Sequence, residues 1–235
     1  MNTIRIDKYL AQLQLISRRE AKKVFKSGAV MLNGYEEYDH GFWVRDGDRI
    51  SLRIDSETSS EWQEDIEFEV RQEVTLLLHK PAGYVCSEID EGGHLSYKNL
   101  LSDCIYAPLL KVAGRLDQDT TGLVLATSDG QLIHRLISPK ANKEKEYIVT
   151  CKNEVSDTDL SQLERWVIID NDYQTLPAKT VRKDAFVFSL TITEGKFHQI
   201  KKMCEAIDNE CVALHRIRID RWTIEWLASW EWKYI

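Results

Sequence analysis

The residues best suited to chemistry lie in one run, Gly114-Arg115-Leu116-Asp117-Gln118-Asp119-Thr120-Thr121-Gly122, followed at once by the apolar Leu123-Val124-Leu125-Ala126. Two carboxylates and a guanidinium between glycines, directly before a strand-like segment, put short polar side chains on a loop at a rigid sheet edge. An ionised carboxylate there can act as a nucleophile or a general base, and an arginine can hold a phosphate. The same residue types also suit a plain turn, in which Asp and Gly supply only backbone geometry. Other chemistries lack their residues. There is no G-x-x-x-x-G-K-[ST] loop, no G-x-G-x-x-G opening a helix and no H-E-x-x-H, and the six histidines are dispersed. The run also matches positions one, three and six of a calcium loop, but Thr121 stands at position five and Ser128 where a bidentate glutamate is needed.

These side chains need a scaffold, and the patterning predicts one. Strands are expected at 74–79, 122–127, 146–151, 178–182 and 186–193, from alternation or β-branched runs, and helices at 130–137, 158–166 and 197–207. Ile200, Met203, Cys204 and Ile207 form one stripe of the last helix. The order gives a mixed α+β domain without the regular βαβ alternation of a doubly wound sheet. Trp222, Trp226, Trp230 and Trp232 read as sheet packing. At the N-terminus, Asp7 is expected to cap a helix running to Gln14. Ser17-Arg18-Arg19-Glu20 has the spacing of a capping box, so a second helix should start at Arg18 and end at Gly28. Ala21, Val24 and Phe25 share its packing face, leaving Arg18, Arg19, Lys22, Lys23 and Lys26 on the others. Strands at 29–33 and 49–53 complete a small ααβ unit.

A chain of 235 residues, 43% hydrophobic and 29% charged, is long enough for one or two domains with real cores. The net charge of -7 disfavours a phosphate-binding role only on average. Residues 54–73 carry eight acids against Arg71, while residues 1–28 carry seven bases against Asp7 and Glu20. Segregation of this kind suits a basic, anion-seeking surface beside an acidic linker, or simply solvated faces. Five scattered cysteines with no C-x-x-C disfavour a disulfide framework and a structural zinc. With no apolar leader and no apolar run of membrane-spanning length, the expectation is a soluble, cytoplasmic protein. No segment reads as an obligate apolar interface, so a monomer is expected.

The loop sequence resembles the G-R-L-D-x-D-T-x-G-L motif of the RsuA/RluA-type RNA pseudouridine synthases, and other segments agree in the same order. Lys80-Pro81-Ala82-Gly83-Tyr84-Val85 resembles their K-P-x-G-Y-V element, and Lys145-Glu146-Tyr147-Ile148-Val149 their K-x-Y-x-V strand. Glu194-Gly195-Lys196-Phe197-His198-Gln199-Ile200-Lys201-Lys202-Met203 is similar to their E-G-x-x-H-Q helix start. Residues 1–53 resemble the S4 RNA-binding domain carried by the RsuA/RluB/E/F branch. The resemblance thus implies an S4 domain over 1–54, an acidic linker over 55–69, and a mainly antiparallel pseudouridine synthase domain over 70–235. It departs from the family at Asp208 and Asp220, where glycine is usual. Aspartate tolerates left-handed backbone better than most residues, so Asp208 can still end the last helix.

The resemblance also implies roles. Asp117 would be the essential carboxylate, attacking C1′ of a flipped uridine or removing a sugar proton to give a glycal. In a groove dried by RNA such an acid needs a nearby cation, and Lys201 matches the family position that pairs with it. Tyr147 would stack on the uracil and help remove its C5 proton, and Arg115 would enter the space vacated by the base. Asp119 would brace the loop through backbone N–H groups, and His198 and Gln199 would support it. Arg18, Arg19, Lys22 and Lys23 would hold RNA electrostatically. No cofactor and no metal are needed, because the isomerisation has no net redox change. The implied substrate is small-subunit ribosomal RNA, at uridine 516 of 16S RNA, free or in an assembling particle. A 23S RNA specificity and a non-catalytic S4-type assembly factor are the alternatives.

Overall fold

The computed structural model describes residues 3–53, 65–170 and 172–235. Its chain divides into two compact units, one made of the chain up to Val74 with Ser102–Leu110, the other of Thr75–Leu101 and Lys111–Ile235. None of the helices described is long and apolar enough to cross a membrane.

In the smaller unit β1 (Thr3–Arg5) leads into α1 (Ile6–Gln12), followed by α2 (Ala21–Lys26), β2 (Val30–Leu32), β3 (Tyr35–Glu36), β4 (Trp43–Arg45), β5 (Arg49–Leu52) and β6 (Ile66–Glu69). β1 pairs with β4, and a second sheet has the order β3-β2-β5-β6. Tyr9, Leu10, Phe25, Val30, Val44, Ile50 and Leu52 bury almost completely between helices and strands. The Ser17–Glu20 box closes: the Glu20 amide donates to Ser17 Oγ at 3.3 Å and the Ser17 amide to Glu20 Oε2 at 3.1 Å. Residues 18–20 form a turn before regular helix begins at Ala21. Ala21 and Phe25 point inward, and Arg18, Arg19, Lys22, Lys23 and Lys26 are exposed. Asp7 is no cap. It lies inside the first turn of α1, buried, accepting bonds from Arg5 Nε at 3.1 Å and Nη2 at 2.9 Å, and the helix ends at Gln12.

The acidic linker expected over 55–69 changes at its end. Ile66–Glu69 pairs antiparallel with β5, Phe68 opposite Ile50, because its alternating pattern buries Phe68 while the acids face out. Residues 55–64 of that reading lie outside the described residues.

The larger unit comprises β7 (Thr75–Lys80), β8 (Tyr84–Val85), β9 (Leu95–Ser96), β10 (Lys111–Val112), β11 (Thr121–Thr127), α3 (Gly130–Ile137), β12 (Lys145–Cys151), α4 (Asp157–Arg165), β13 (Ile168–Ile169), β14 (Tyr173–Gln174), β15 (Lys179–Arg182), β16 (Val187–Ile192), α5 (Gln199–Glu205), β17 (Cys211–Ile219), β18 (Trp222–Thr223) and β19 (Trp232–Tyr234). Its main sheet has the order β15-β16-β12-β17-β11-β7-β19, with β10 and β18 paired at the side. Every pairing in it is antiparallel except β11 with β17. Leu123 and Leu125 of β11 pack with Ala113, Leu136 and Ile219, flanked by Leu132 and Ile133 of α3. The helix at 130–137 is as the sequence predicts, capped by Asp129, whose Oδ1 accepts the Gln131 amide at 2.7 Å.

Three sequence expectations need correction or addition, and one on the backbone holds. β17, the longest strand, was not predicted, because Arg216 takes an inward position where a pattern reading expects an apolar residue. The last helix starts at Gln199 instead of 197, since His198 has left-handed backbone (φ 53°). Trp222 packs on the core and Trp232 lies in β19, but Trp226 and Trp230 are exposed and are not sheet packing. Asp208 and Asp220 do adopt left-handed backbone (φ 56° and 52°), the geometry that glycine would supply without strain. All five cysteines are free thiols.

Candidate active site

The loop between β10 and β11 is held at its ends, at its tip and on its carboxylates. Arg216, buried in β17, reaches across to it. Its Nε donates to the Leu123 carbonyl at 2.7 Å and its Nη2 to the Gly114 carbonyl at 2.9 Å, so one guanidinium ties both ends of the loop. That reach requires β11 and β17 to lie very close. Gly122 sits opposite Arg216 in the parallel register, with φ 110°, and a Cβ there would stand 2.3 Å from the Arg216 carbonyl oxygen. Only glycine fits.

Lys80 fixes the tip. Fully buried at the end of β7, its Nζ donates to the carbonyls of Pro81 (2.9 Å), Tyr84 (2.8 Å) and Gln118 (3.3 Å). The Gly83 amide donates to the same Gln118 carbonyl at 2.9 Å. Burial pushes the Lys80 ammonium below its ordinary pKa, against the pull of the nearby carboxylates of Asp119 and Asp117. Thus Gln118, between the two aspartates, is the point where the K-P-x-G-Y-V segment grips the loop.

Asp117 and Asp119 project toward α5. Lys201 Nζ lies 3.3 Å from Asp117 Oδ2, and 2.7 and 2.9 Å from the two oxygens of Asp119. His198 Nε2 lies 3.6 Å from Asp117 Oδ1. The Asp117 side chain keeps 32% of its surface accessible, so the acid is held by the Lys201 ammonium and flanked by the His198 imidazole yet open to a ligand. Asp119 is not chiefly a backbone brace: it is the nearer partner of the ammonium. Burial acts to raise its pKa, but the hydrogen bond and charge of Lys201 outweigh burial and leave it below the ordinary value. Burial likewise acts to lower Lys201, and the two carboxylates outweigh that and raise it.

The helix start that carries Lys201 is itself stapled. Buried Glu194 accepts from Tyr173 Oη at 2.5 Å, from the Leu176 amide at 2.9 Å and from Gln199 Nε2 at 2.6 Å. Gln199 Oε1 in turn accepts the Lys196 amide at 2.9 Å. This network holds His198 in its left-handed conformation. The Glu194–Gln199 pair therefore shapes a loop, and its bonds run to Tyr173, Leu176 and Lys196, not to the carboxylates.

Tyr147 faces the same layer from β12. It is largely buried, its Oη 3.5 Å from Arg216 Nη1 and its ring centroid 5.9 Å from that guanidinium. Asp117, Asp119, His198 and Lys201 thus form one contact group, and Tyr147 joins the loop through Arg216. Arg115 is exposed and has no hydrogen-bond or ion-pair partner among the described residues. Arg18, Arg19, Lys22 and Lys23 belong to the smaller unit, where none forms an ion pair with a described residue. Sequence reasoning gave no role to Arg216, or to Lys80 and Glu194, which it carried only as motif residues, because their bonds run to backbone carbonyls and amides brought close by the fold. No group of three or more metal-ligating side chains forms among the described residues.

An acid one-third open and paired with an ammonium can attack or deprotonate a sugar. The family profile described as RNA pseudouridylate synthase matches residues 74–206, which include every element of this site except β17. Over 217 residues the chain is 38% identical to ribosomal small subunit pseudouridine synthase A of Pasteurella multocida, covering 92% of this chain and 88% of that protein. It is 37% identical over 228 residues to an uncharacterised RNA pseudouridine synthase of Bacillus subtilis, covering 94% and 90%. A solved structure described as a pseudouridylate synthase superposes with a TM-score of 0.66 at 32% identity, covering 99% of this chain and 96% of that one.

Proposed function

The chain belongs to the RNA pseudouridylate synthase family, and from that premise we propose that it isomerises one uridine of small-subunit ribosomal RNA, uridine 516 of 16S RNA by resemblance, with Asp117 as the essential carboxylate. The observation that carries the reading is the Asp117 side chain, partly open and 3.3 Å from the Lys201 ammonium. In the reaction the N1–C1′ bond breaks and a C5–C1′ bond forms. The C5 proton leaves and N1 gains one, so no oxidant or energy source is consumed. Since the target atoms are enclosed in stacked RNA, the base must first be extruded, at a cost of a few kcal/mol.

Lys201 sets its ammonium against the Asp117 carboxylate and offsets its negative charge as bound RNA displaces water. The carboxylate then attacks C1′, or takes a sugar proton on the way to a glycal. Tyr147 supports the freed ring and helps remove the C5 proton, and Arg216 holds its hydroxyl. Exposed Arg115 fills the gap left by the extruded base and meets phosphate. The smaller unit serves as an S4-type RNA-binding domain, with Arg18, Arg19, Lys22 and Lys23 on its phosphate-facing surface. The protein works as a cytoplasmic monomer on RNA free or in an assembling particle.

The test is a pseudouridine map of ribosomal RNA from cells lacking the protein, complemented by the wild type or by Asp117→Asn. One small-subunit signal should vanish and return only with the wild type. An unchanged map overturns the enzymatic reading, and loss of a large-subunit site instead overturns the substrate assignment.

A further inference from the structure

We propose that Phe197 is a stacking platform for an unpaired nucleobase next to the target uridine, and so helps to select and position the RNA. The inference rests on the RNA pseudouridine synthase reading and adds a contact to it.

Phe197 is 74% exposed on the segment between β16 and α5. A phenylalanine left in water forfeits most of the burial free energy its ring could gain, so its position invites a partner. The ring is not loose. It lies nearly parallel to the His198 imidazole, centroids 3.8 Å apart at 19°, and His198 is fixed by its left-handed backbone and the Glu194–Gln199 network. On its far side His198 reaches Asp117, Nε2 to Oδ1 3.6 Å. A chain of contacts therefore runs from solvent through the Phe197–His198 stack and, by the edge of the imidazole, to the carboxylate, with most of the phenyl ring still exposed.

The surroundings fit a nucleotide better than an apolar partner. Lys202 Nζ stands 5.2 Å from the Phe197 ring centroid, held at 2.5 Å by Asp170 Oδ1. Lys196 Nζ lies 4.4 Å over the ring of Tyr173. An ammonium at an exposed aromatic ring, with a second lysine on the adjoining residue, supplies the elements of single-strand recognition, in which the ring takes the base and the cations take the backbone. A base resting on Phe197 lies one stacking layer beyond His198. It is thus the neighbour of the nucleotide whose sugar meets Asp117. Flipping the target unstacks that neighbour, and Phe197 offers it a replacement surface.

The test uses the full-length protein and a small-subunit ribosomal RNA fragment carrying 2-aminopurine on either side of the target uridine. Stacking on an aromatic ring contributes enough per base that Phe197→Ala should raise KM about 10- to 100-fold, with a much smaller change in the rate at saturating RNA. Quenching of one of the two 2-aminopurines should be lost together with it. Phe197→Leu, which keeps apolar bulk without a π face, should behave like the alanine variant, and Phe197→Trp should restore both readouts. Wild-type KM and quenching in both Phe197→Ala and Phe197→Leu overturn the proposal while pseudouridine formation by the wild type leaves the enzymatic reading standing. No pseudouridine from the wild type overturns the enzymatic reading, and the platform with it.

Discussion

Replacing Gly122 by alanine tests whether the loop depends on the contact between β11 and β17. The added Cβ would stand 2.3 Å from the Arg216 carbonyl oxygen, 2.6 Å from its amide nitrogen and 2.9 Å from its carbonyl carbon, all backbone atoms. Restoring an ordinary contact of about 3.4 Å means that the strands part by roughly 1 Å. They meet only at Thr121 with His215 and Gly122 with Arg216, and this parallel pair joins the two halves of the main sheet. Parting them also pulls the Arg216 guanidinium from the carbonyls of Leu123 and Gly114. Each charge-assisted bond contributes about 1.5–3 kcal/mol, and an alanine at positive φ costs about 1 kcal/mol. Gly122→Ala should therefore lose about 4–7 kcal/mol, a large part of the roughly 5–15 kcal/mol that holds a domain folded. Gly114→Ala is the control. Its φ is 90°, but its Cβ would meet nothing closer than Arg216 Nη1 at 3.7 Å, so only the backbone cost of about 1 kcal/mol applies. Urea unfolding, followed through Trp222 on the β11 core, should show the Gly122→Ala midpoint falling by more than about 1 M. Equal losses in the two variants would refute the reasoning.

Other consequences can be measured directly. Asp119 has its folded pKa depressed below the ordinary 3.8, so the stability it contributes is complete above about pH 4 and is lost as pH falls through the folded value. Lys201→Met should abolish that acid-range dependence, raise the Asp119 titration midpoint seen by NMR, and suppress pseudouridine formation; an unmoved midpoint would contradict the pairing. Asp208→Gly should relieve left-handed strain at an exposed position and raise Tm by about 1–4 °C, whereas Asp220→Gly should gain less, because it also loses the ion pair to Lys143 at 3.1 Å. Alanine at Arg18 or Lys22 should each lower the slope of log affinity against log salt for RNA by about 1, and an unchanged slope would remove those side chains from the RNA surface.

The sequence made some of this legible and hid the rest for physical reasons. Local signals read well: the helix over Gly130–Ile137 and the Ser17–Glu20 reciprocal bonds depend on residues within one or two turns of each other. The pairing of Asp117 with Lys201, by contrast, spans the chain from the β10–β11 loop to α5, and only resemblance to a family could suggest it. β17 escaped notice because its buried Arg216 is satisfied by carbonyls, so the strand's alternation looks polar where it is in fact internal. The start of α5 shifted for a similar reason. Its stripe of apolar residues predicts a helix, but the Glu194–Gln199 network holds His198 outside it, and side-chain bonds to backbone have no periodicity to read.

Arg216 spans from the sheet's longest strand to both ends of the loop. A loop anchored in this way has no cheap route to fray by itself while the strands stay paired. Warming should therefore extinguish turnover at the same temperature at which the whole larger unit melts cooperatively. No folded but idle species should accumulate below it.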